Sequence, residues 1–147
     1  GGLLTSAVHL GSEFVDGTIV KQEFADGTVK SLPADHKGEL QSMPIVVLVN
    51  DGSASASEIF AGAIQDNNRG KIVGEKTFGK GTVQDALELT GGSGLHVTIA
   101  KWLTPKGKSI HGAGIEPDIV IERSTDDVVA GRDPQLARAL EIIADEI

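Results

Sequence analysis

The segment MPIVVLVN, residues 43–50, most constrains how this 147-residue chain can fold. It is a run of apolar, largely β-branched residues without polar alternation, which is typical of a strand covered on both faces. The next segments predict a helix over about residues 55–67 and a short strand in KIVGE, residues 71–75. A strand, a helix and a second strand in this order predict a right-handed βαβ crossover.

Further segments on both sides of this unit predict regular structure. Apolar residues recur at helical spacing from Leu3 to Phe14, and residues 17–32 predict a β-hairpin turning at Ala25-Asp26-Gly27. Two β-prone segments flank the turn at residues 90–94, and Asp133-Pro134 marks the start of a last helix with an apolar face. Together they predict one α/β domain with a partly parallel sheet, a βαβ crossover and an added β-hairpin.

Composition excludes several classes of function. The net charge of −8 disfavours nucleic-acid binding, which needs a basic face for the phosphates. No apolar run approaches the length of a membrane span. The absence of cysteine excludes disulfides, thiolate metal sites and cysteine nucleophiles. Because the chain begins on Gly-Gly without Met, we expect it to be a piece of a longer protein.

Three serines alternate in DGSASASEIFAG, residues 51–62, directly before the apolar pattern of the predicted helix. Local sequence favours a structural role, because Ser55 and Glu58 match the capping box S-x-x-E. The position also suits a nucleophile. The turn lies at the carboxyl edge of a parallel strand, and a helix start presents free N–H groups that stabilise an oxyanion. Local sequence leaves both roles open.

A serine nucleophile needs a base, and Lys80 is the strongest candidate. It lies between two glycines in GEKTFGKGTVQ, residues 74–84, which predicts a close backbone path that aims the lysine inward. A lysine accepts a proton only in its neutral form, so we expect burial and no carboxylate partner. The segment also resembles a P-loop, but Gly81 replaces the required Ser or Thr and no helix pattern follows.

Histidine is the alternative base. A Ser-His-Asp triad assembles from distant positions, so spacing does not exclude it. None of the four histidines lies directly between two glycines as Lys80 does, and each is expected to be a surface or core residue. They are His9, His36, His96 and His111.

Several segments together resemble the catalytic core of the C-terminal processing peptidases, also called tail-specific proteases. The resemblance implies a serine protease catalytic core over residues 1–147 with a crotonase or Clp protease type of fold. It also implies that the PDZ domain and helical segment usual upstream are absent from this chain. The segments are VNDGSASASEIFAGAIQDNNRGKIVGEKTFGKGTVQ, the opening GGLL, GSGLHVTIAKWLTPKGKSIHGAGIEPDIVI at 92–121 and DPQLARAL at 133–140.

Matching the family's motif residue by residue implies a Ser-Lys dyad and its supporting groups. Ser55 corresponds to the nucleophile, Lys80 to the general base and Gln84 to the residue that orients the lysine. The remaining positions are the oxyanion donors, which are the backbone N–H groups of Ala56 and of Gly1 or Gly2, and a supporting acidic residue, Asp66.

The resemblance implies a serine endopeptidase that cleaves proteins at or near unstructured C-terminal tails through an acyl-enzyme, without metal or cofactor. It implies a location outside the cytoplasm, in the periplasm, the cell envelope or a thylakoid lumen. The alternatives are a non-catalytic fragment that serves as a peptide-binding or scaffold module, a Ser-His-Asp hydrolase, and an acyl-CoA enzyme of the crotonase type. The sequence leaves open whether the chain forms a homo-oligomer.

Overall fold

The computed structural model describes all 147 residues as two sheets and four helices. In chain order the elements are α1 (Leu4–Phe14), β1 (Thr18–Phe24), β2 (Val29–Pro33), β3 (Val46–Val49), α2 (Ala56–Asp66), β4 (Lys71–Gly74), β5 (Thr82–Glu88), β6 (Gly94–Leu103), β7 (Ile119–Val120), α3 (Thr125–Val129) and α4 (Pro134–Asp145).

The predicted βαβ crossover is present. Strands β3 and β4 pair in parallel, with Val49 opposite Gly74, and α2 connects them. Strand β7 adds to the other side of β4, also in parallel, to give the order β3-β4-β7. This sheet brings the carboxyl ends of β3 and β4 side by side, so the segments that follow both strands meet at one edge.

The remaining strands form a separate antiparallel sheet in the order β2-β1-β6-β5. The predicted hairpin at residues 17–32 corresponds to β1 and β2, and the turn at 90–94 joins β5 and β6. The predicted α/β fold with parallel pairing and an added hairpin is confirmed, and the structure distributes its strands between a parallel and an antiparallel sheet. Parallel pairing needs a crossover connection, which α2 supplies for β3 and β4, while the tight turns impose antiparallel pairing elsewhere.

Helix α2 lies at the centre of the core and contacts α1, β1 and β4. Its inward face is fully covered at Ala61, Ala63 and Ile64. The largest fully buried side chain is Trp102 of β6, whose indole N–H donates to the Lys80 carbonyl at 2.9 Å. The other fully buried apolar side chains come from both sheets and one loop: Ile19, Val20, Ile72, Val73 and Ile110.

The last helix begins as predicted. Asp133 caps α4 by accepting the Leu136 N–H at 2.9 Å, and Pro134 is its first residue. Its predicted apolar face is only partly covered, because Ala139 is buried while Leu136 and Leu140 are exposed. The two-residue strand β7 and the short helix α3 were not predicted. No helix is both long and apolar enough to cross a membrane.

Gly74 allows the two parallel strands to approach each other. Its φ is +129°, and a Cβ added there would lie 2.0 Å from the Val49 carbonyl oxygen. We therefore expect Gly74→Ala to lower the free energy of unfolding by more than about 2 kcal/mol, through strain and a backbone clash. Urea denaturation measures this.

Gly27→Ala is the matched control. Gly27 also has a positive φ, +82°, but a Cβ there would meet nothing within 4 Å. The control carries only the backbone strain, about 1–2 kcal/mol. Equal destabilisation by the two substitutions would show that the close approach of β3 to Gly74 adds nothing to the loss in free energy of unfolding.

Candidate active site

Ser55 occupies a strained turn between β3 and α2. Its φ of +58° lies in the left-handed region, which costs a non-glycine residue about 1–3 kcal/mol and is concentrated at functional sites. The preceding turn is closed by the Ser53 N–H, which donates to the Asn50 carbonyl at 2.9 Å. Ser55 and Glu58 take the predicted capping-box arrangement, in which the Glu58 carboxylate accepts the Ser55 N–H at 2.8 Å. The Glu58 N–H donates to the Ser55 carbonyl at 2.9 Å, and the Ser55 hydroxyl makes no capping hydrogen bond of normal geometry. The hydroxyl is thus left free for chemistry.

The buried carboxylate of Glu58 connects this turn to the lysine segment. Its side chain has no solvent exposure. One oxygen, Oε2, accepts the Ser55 N–H at 2.8 Å and the Lys80 N–H at 2.9 Å. The other, Oε1, accepts the Thr77 hydroxyl at 2.5 Å and the Gly79 N–H at 2.7 Å. A single carboxylate therefore fixes the backbone of both Ser55 and Lys80.

The predicted close backbone path around Lys80 is present. Gly79 has a φ of +90°, and a Cβ there would lie 2.8 Å from the Gly114 nitrogen. A Cβ on Gly81 would lie 2.8 Å from the His111 backbone nitrogen. The segment therefore packs directly on the backbone of the loop that follows β6, and a side chain at either glycine would push the two apart.

The expected burial of Lys80 is not observed. The residue is exposed, because no element of this chain covers the outer side of the segment. It does meet the second expectation, since its ammonium group forms no ion pair with a carboxylate. Its backbone is held on two sides, by the Glu58 carboxylate and by the Trp102 indole.

The predicted dyad lines one cavity of about 440 Å³. Gln84 joins Ser55 and Lys80 there, and it lies opposite a register irregularity of the β5–β6 pairing in which Ile99 of β6 is the extra residue. Bulges re-aim side chains and occur next to active sites more often than elsewhere. The structure thus brings together the three residues named as nucleophile, base and orienting amide. Gly2, Leu3, Leu4, Thr5, Ala56, Ile59, Thr82, Val83, His96 and Trp102 complete the lining.

Two backbone N–H groups at this cavity are free to bind an oxyanion. Ala56 is the first residue of α2, and neither its N–H nor that of Gly2 donates to another group of the chain. Gly1 packs beside the nucleophile turn, where its nitrogen donates to Ser57 Oγ at 3.0 Å. Of the two opening glycines, Gly2 is the one that lines the cavity with Ser55.

Asp66 is not brought to this cavity. It is the last residue of α2, and Ser55 precedes the first, so the length of the helix, about 16 Å, separates them. Its carboxylate accepts the Lys106 N–H at 2.8 Å and holds the turn after β6.

The sequence-based assignment missed the role of Glu58, and it named His96 only as one of four alternative bases. Glu58 was interpreted only as part of a capping box, and its three contacts with residues 77–80 have no signal in the local sequence. His96 lines the same cavity as Ser55, which makes it the one histidine placed there. It forms no hydrogen bond to a carboxylate, the contact that orients a histidine base in a triad.

Comparison with known proteins identifies the family of this chain. Residues 1–121 match the family model of Peptidase family S41. The chain belongs to peptidase family S41. It is 44% identical to a carboxyl-terminal-processing protease of Synechocystis sp. over 97% of this chain and 34% of that protein. It is 49% identical to a probable CtpA-like serine protease of Staphylococcus aureus over 83% of this chain and 25% of that protein.

Solved structures confirm the S41 fold. The photosystem II D1 C-terminal processing protease superposes with a TM-score of 0.71 at 41% identity, over 83% of this chain and 32% of that one. The tricorn protease shares the fold, with a TM-score of 0.67 at 21% identity over 99% of this chain and 14% of that one. This S41 chain spans about a third or less of the length of these curated relatives.

Replacing the Glu58 carboxylate by an amide tests its role in the fold of this S41 domain. In Glu58→Gln an NH₂ group replaces one oxygen and faces two donors, so two charge-assisted hydrogen bonds are lost. We expect the free energy of unfolding to fall by about 2–5 kcal/mol.

Glu141→Gln is the control for this substitution. Glu141 pairs with Arg138 at 2.8 Å on the surface, and such pairs contribute about 0–1 kcal/mol. Chemical denaturation of both variants measures the difference. Equal, small losses would mean that the Glu58 network does not stabilise the fold.

Proposed function

We propose that this S41 domain is a serine endopeptidase whose nucleophile is Ser55 and whose general base is Lys80. One observation carries the proposal. The two residues are tethered through their backbone N–H groups to the same carboxylate oxygen of Glu58, and their side chains line one cavity. The Ser55 hydroxyl has no capping hydrogen bond and the Lys80 ammonium has no carboxylate partner. Both groups are therefore available to each other and to a substrate.

The reaction follows from these positions. Lys80 acts in its neutral form, which requires that bound substrate cover the side chain that this chain leaves exposed. It takes the hydroxyl proton as Ser55 Oγ attacks the scissile carbonyl carbon. The resulting oxyanion accepts hydrogen bonds from the free N–H groups of Ala56 and Gly2. Lys80 then gives its proton to the leaving amine, and an acyl-enzyme forms on Ser55. Water, deprotonated by Lys80, hydrolyses the ester and regenerates the serine. Gln84 of β5, which lines the same cavity, orients the lysine side chain.

The neighbouring surface favours an apolar substrate side chain. A second cavity of about 350 Å³ adjoins the first, and Gly2 and Ala56 line both. Its walls are mostly apolar and include Ala7, Val49 and Phe60. When the carbonyl of an extended peptide reaches the Ala56 N–H, the side chain of a neighbouring peptide residue can enter this second cavity. This supports protein substrates with apolar, unstructured tails.

Substrate and location follow from the relatives. One structural relative is named for the C-terminal processing of photosystem II D1, and a curated relative is named a carboxyl-terminal-processing protease. We propose the same class of activity here, namely cleavage at or near C-terminal tails. We also propose a compartment outside the cytoplasm, which is the periplasm, the cell envelope or a thylakoid lumen. The protein's location by fractionation tests the second proposal.

Substituting the dyad tests the assignment of nucleophile and base. We expect Ser55→Ala and Lys80→Ala each to lower the rate of casein hydrolysis by at least about 10³-fold, because the two residues act as one unit. Lys76→Ala is the matched control. Lys76 lies four residues before Lys80 in the same segment, and its ammonium is paired with Glu116 at 3.9 Å. Activity retained in Lys80→Ala would contradict the proposal.

His96 is the second candidate for the base, because it also lines the cavity with Ser55. Losing a general base costs about 10²–10⁴-fold in rate, whereas we expect His96→Ala to change the rate by less than about 10-fold. Labelling by a serine-reactive fluorophosphonate distinguishes an enzyme that uses Lys80 or His96 as its base from a non-catalytic scaffold. Labelling that requires Ser55 and Lys80 supports the dyad, and labelling that requires Ser55 and His96 supports the histidine.

A further inference from the structure

Two histidines and two carboxylates converge on the outer face of α1, away from the Ser55 cavity. His9 and Glu13 are one turn apart on this helix, and Asp35 and His36 follow β2. His9, Asp35 and His36 each present a ligand atom, and these atoms lie within 4.8 Å of one another. The side chains of His9 and Asp35 are 69% and 44% exposed, so the cluster is open to ions from solution.

The hydrogen bonds within the cluster orient both rings. Asp35 lies between the two histidines, with Oδ2 at 3.3 Å from His9 Nδ1 and Oδ1 at 2.5 Å from His36 Nδ1. On the far side of its ring, His36 Nε2 is 2.9 Å from Glu13 Oε1. Metal-binding histidines almost always donate their second ring N–H to a carboxylate or carbonyl, which fixes the tautomer and the ring orientation. Glu13 stands where such a partner stands.

The loop that carries Asp35 and His36 is held by contacts outside the cluster. The Asp35 N–H donates to the buried Ser12 hydroxyl at 2.9 Å, and the Glu39 N–H donates to Glu13 at 3.1 Å. Arg69 fastens the end of the same loop by donating to the Leu40 and Met43 carbonyls. The loop backbone is therefore positioned against α1 by the fold itself, and only the ligand side chains have to adjust to an ion.

The cluster pairs two rings with two carboxylates. Asp35 lies between His9 and His36, and Glu13 lies beyond the far nitrogen of His36. Imidazole nitrogen and carboxylate oxygen together are the ligand set of zinc sites with three protein ligands, in which water completes the tetrahedron.

We propose that His9, Asp35 and His36 bind a divalent zinc-type ion, with Glu13 holding the far nitrogen of His36. The ion bonds to Nδ1 of each ring and to one Asp35 oxygen, and water takes the fourth position. Bonds of about 2.0–2.1 Å place tetrahedral ligands about 3.3 Å apart. The His9 Nδ1–Asp35 Oδ2 distance of 3.3 Å already matches this spacing. The ion replaces the hydrogen bond between His36 Nδ1 and Asp35 Oδ1, so these two atoms move apart from their present 2.5 Å. The ion fastens α1 to the loop after β2.

Zinc titration of the protein after EDTA treatment and dialysis tests the proposal. Calorimetry is expected to show one zinc ion bound per chain at pH 7.5. A 100-fold excess over the dissociation constant is expected to raise the midpoint of thermal unfolding by roughly 5–10 °C, because the ion binds only the folded chain. Magnesium, which prefers six oxygen ligands, is expected to leave the midpoint unchanged. These measurements do not depend on peptidase activity, so they test the zinc site separately from the proposed dyad.

Substitutions assign the ligands. We expect His9→Gln and His36→Gln each to weaken zinc affinity by more than about 100-fold, and Glu13→Gln to weaken it about 10–100-fold with the stoichiometry retained. His111→Gln is the control, because His111 is exposed and lies beside Gly81. Circular dichroism confirms that each variant is folded. The proposal is overturned if the parent binds no zinc, or if His9→Gln and His36→Gln bind it as tightly as His111→Gln does.

Discussion

The architecture of the site depends on one buried carboxylate. An unpaired ionised carboxylate in a protein interior costs several kcal/mol, so Glu58 is tolerable only because donors surround it. Three of its four donors are backbone N–H groups, which belong to the turn before α2 and to the segment after β4. The fourth, the Thr77 hydroxyl, itself accepts the Ile115 N–H at 2.7 Å. The carboxylate therefore draws three separate stretches of chain to one point.

This arrangement explains how two loops reach the accuracy that the proposed acyl transfer requires. Loops are usually the mobile parts of a fold, yet a catalytic pair must be held within about 0.5 Å of a productive geometry. Here parallel pairing of β3 and β4 places the two loops at the same sheet edge, and Glu58 fixes their backbones there. Gly2, which precedes α1, and the first turn of that helix line the cavity from a third direction. The site is thus built from the rigid sheet outward.

The sequence predicted local features well and long-range ones poorly. Three patterns depend only on neighbouring residues, and each lies where it was expected. They are the apolar run at 43–50, the alternating serines and the Asp133-Pro134 cap. The division into two sheets depends on which strands pair, and no local pattern contains that information. The pairing of Glu58 with the lysine segment is missed for the same reason, since its partners lie about twenty residues away.

The exposure of Lys80 is a second long-range feature that the local sequence did not predict. Flanking glycines correctly indicated a close backbone path, because the steric need is local. Burial of the side chain depends on what covers the segment, and in this chain nothing does. The placement of His96 in the cavity likewise follows from the β5–β6 register, which sets Ala86 opposite His96 and Gln84 opposite Thr98.

The chain contains a single tryptophan, and its position gives the site a built-in optical reporter. Trp102 is 1% exposed and its indole N–H is bonded to the carbonyl of Lys80. Indole emission responds to the polarity around the ring and to the loss of a hydrogen bond. All tryptophan fluorescence of this protein therefore originates beside the lysine segment. A displacement of that segment, on ligand entry or on local opening, is visible in the emission spectrum without an added label.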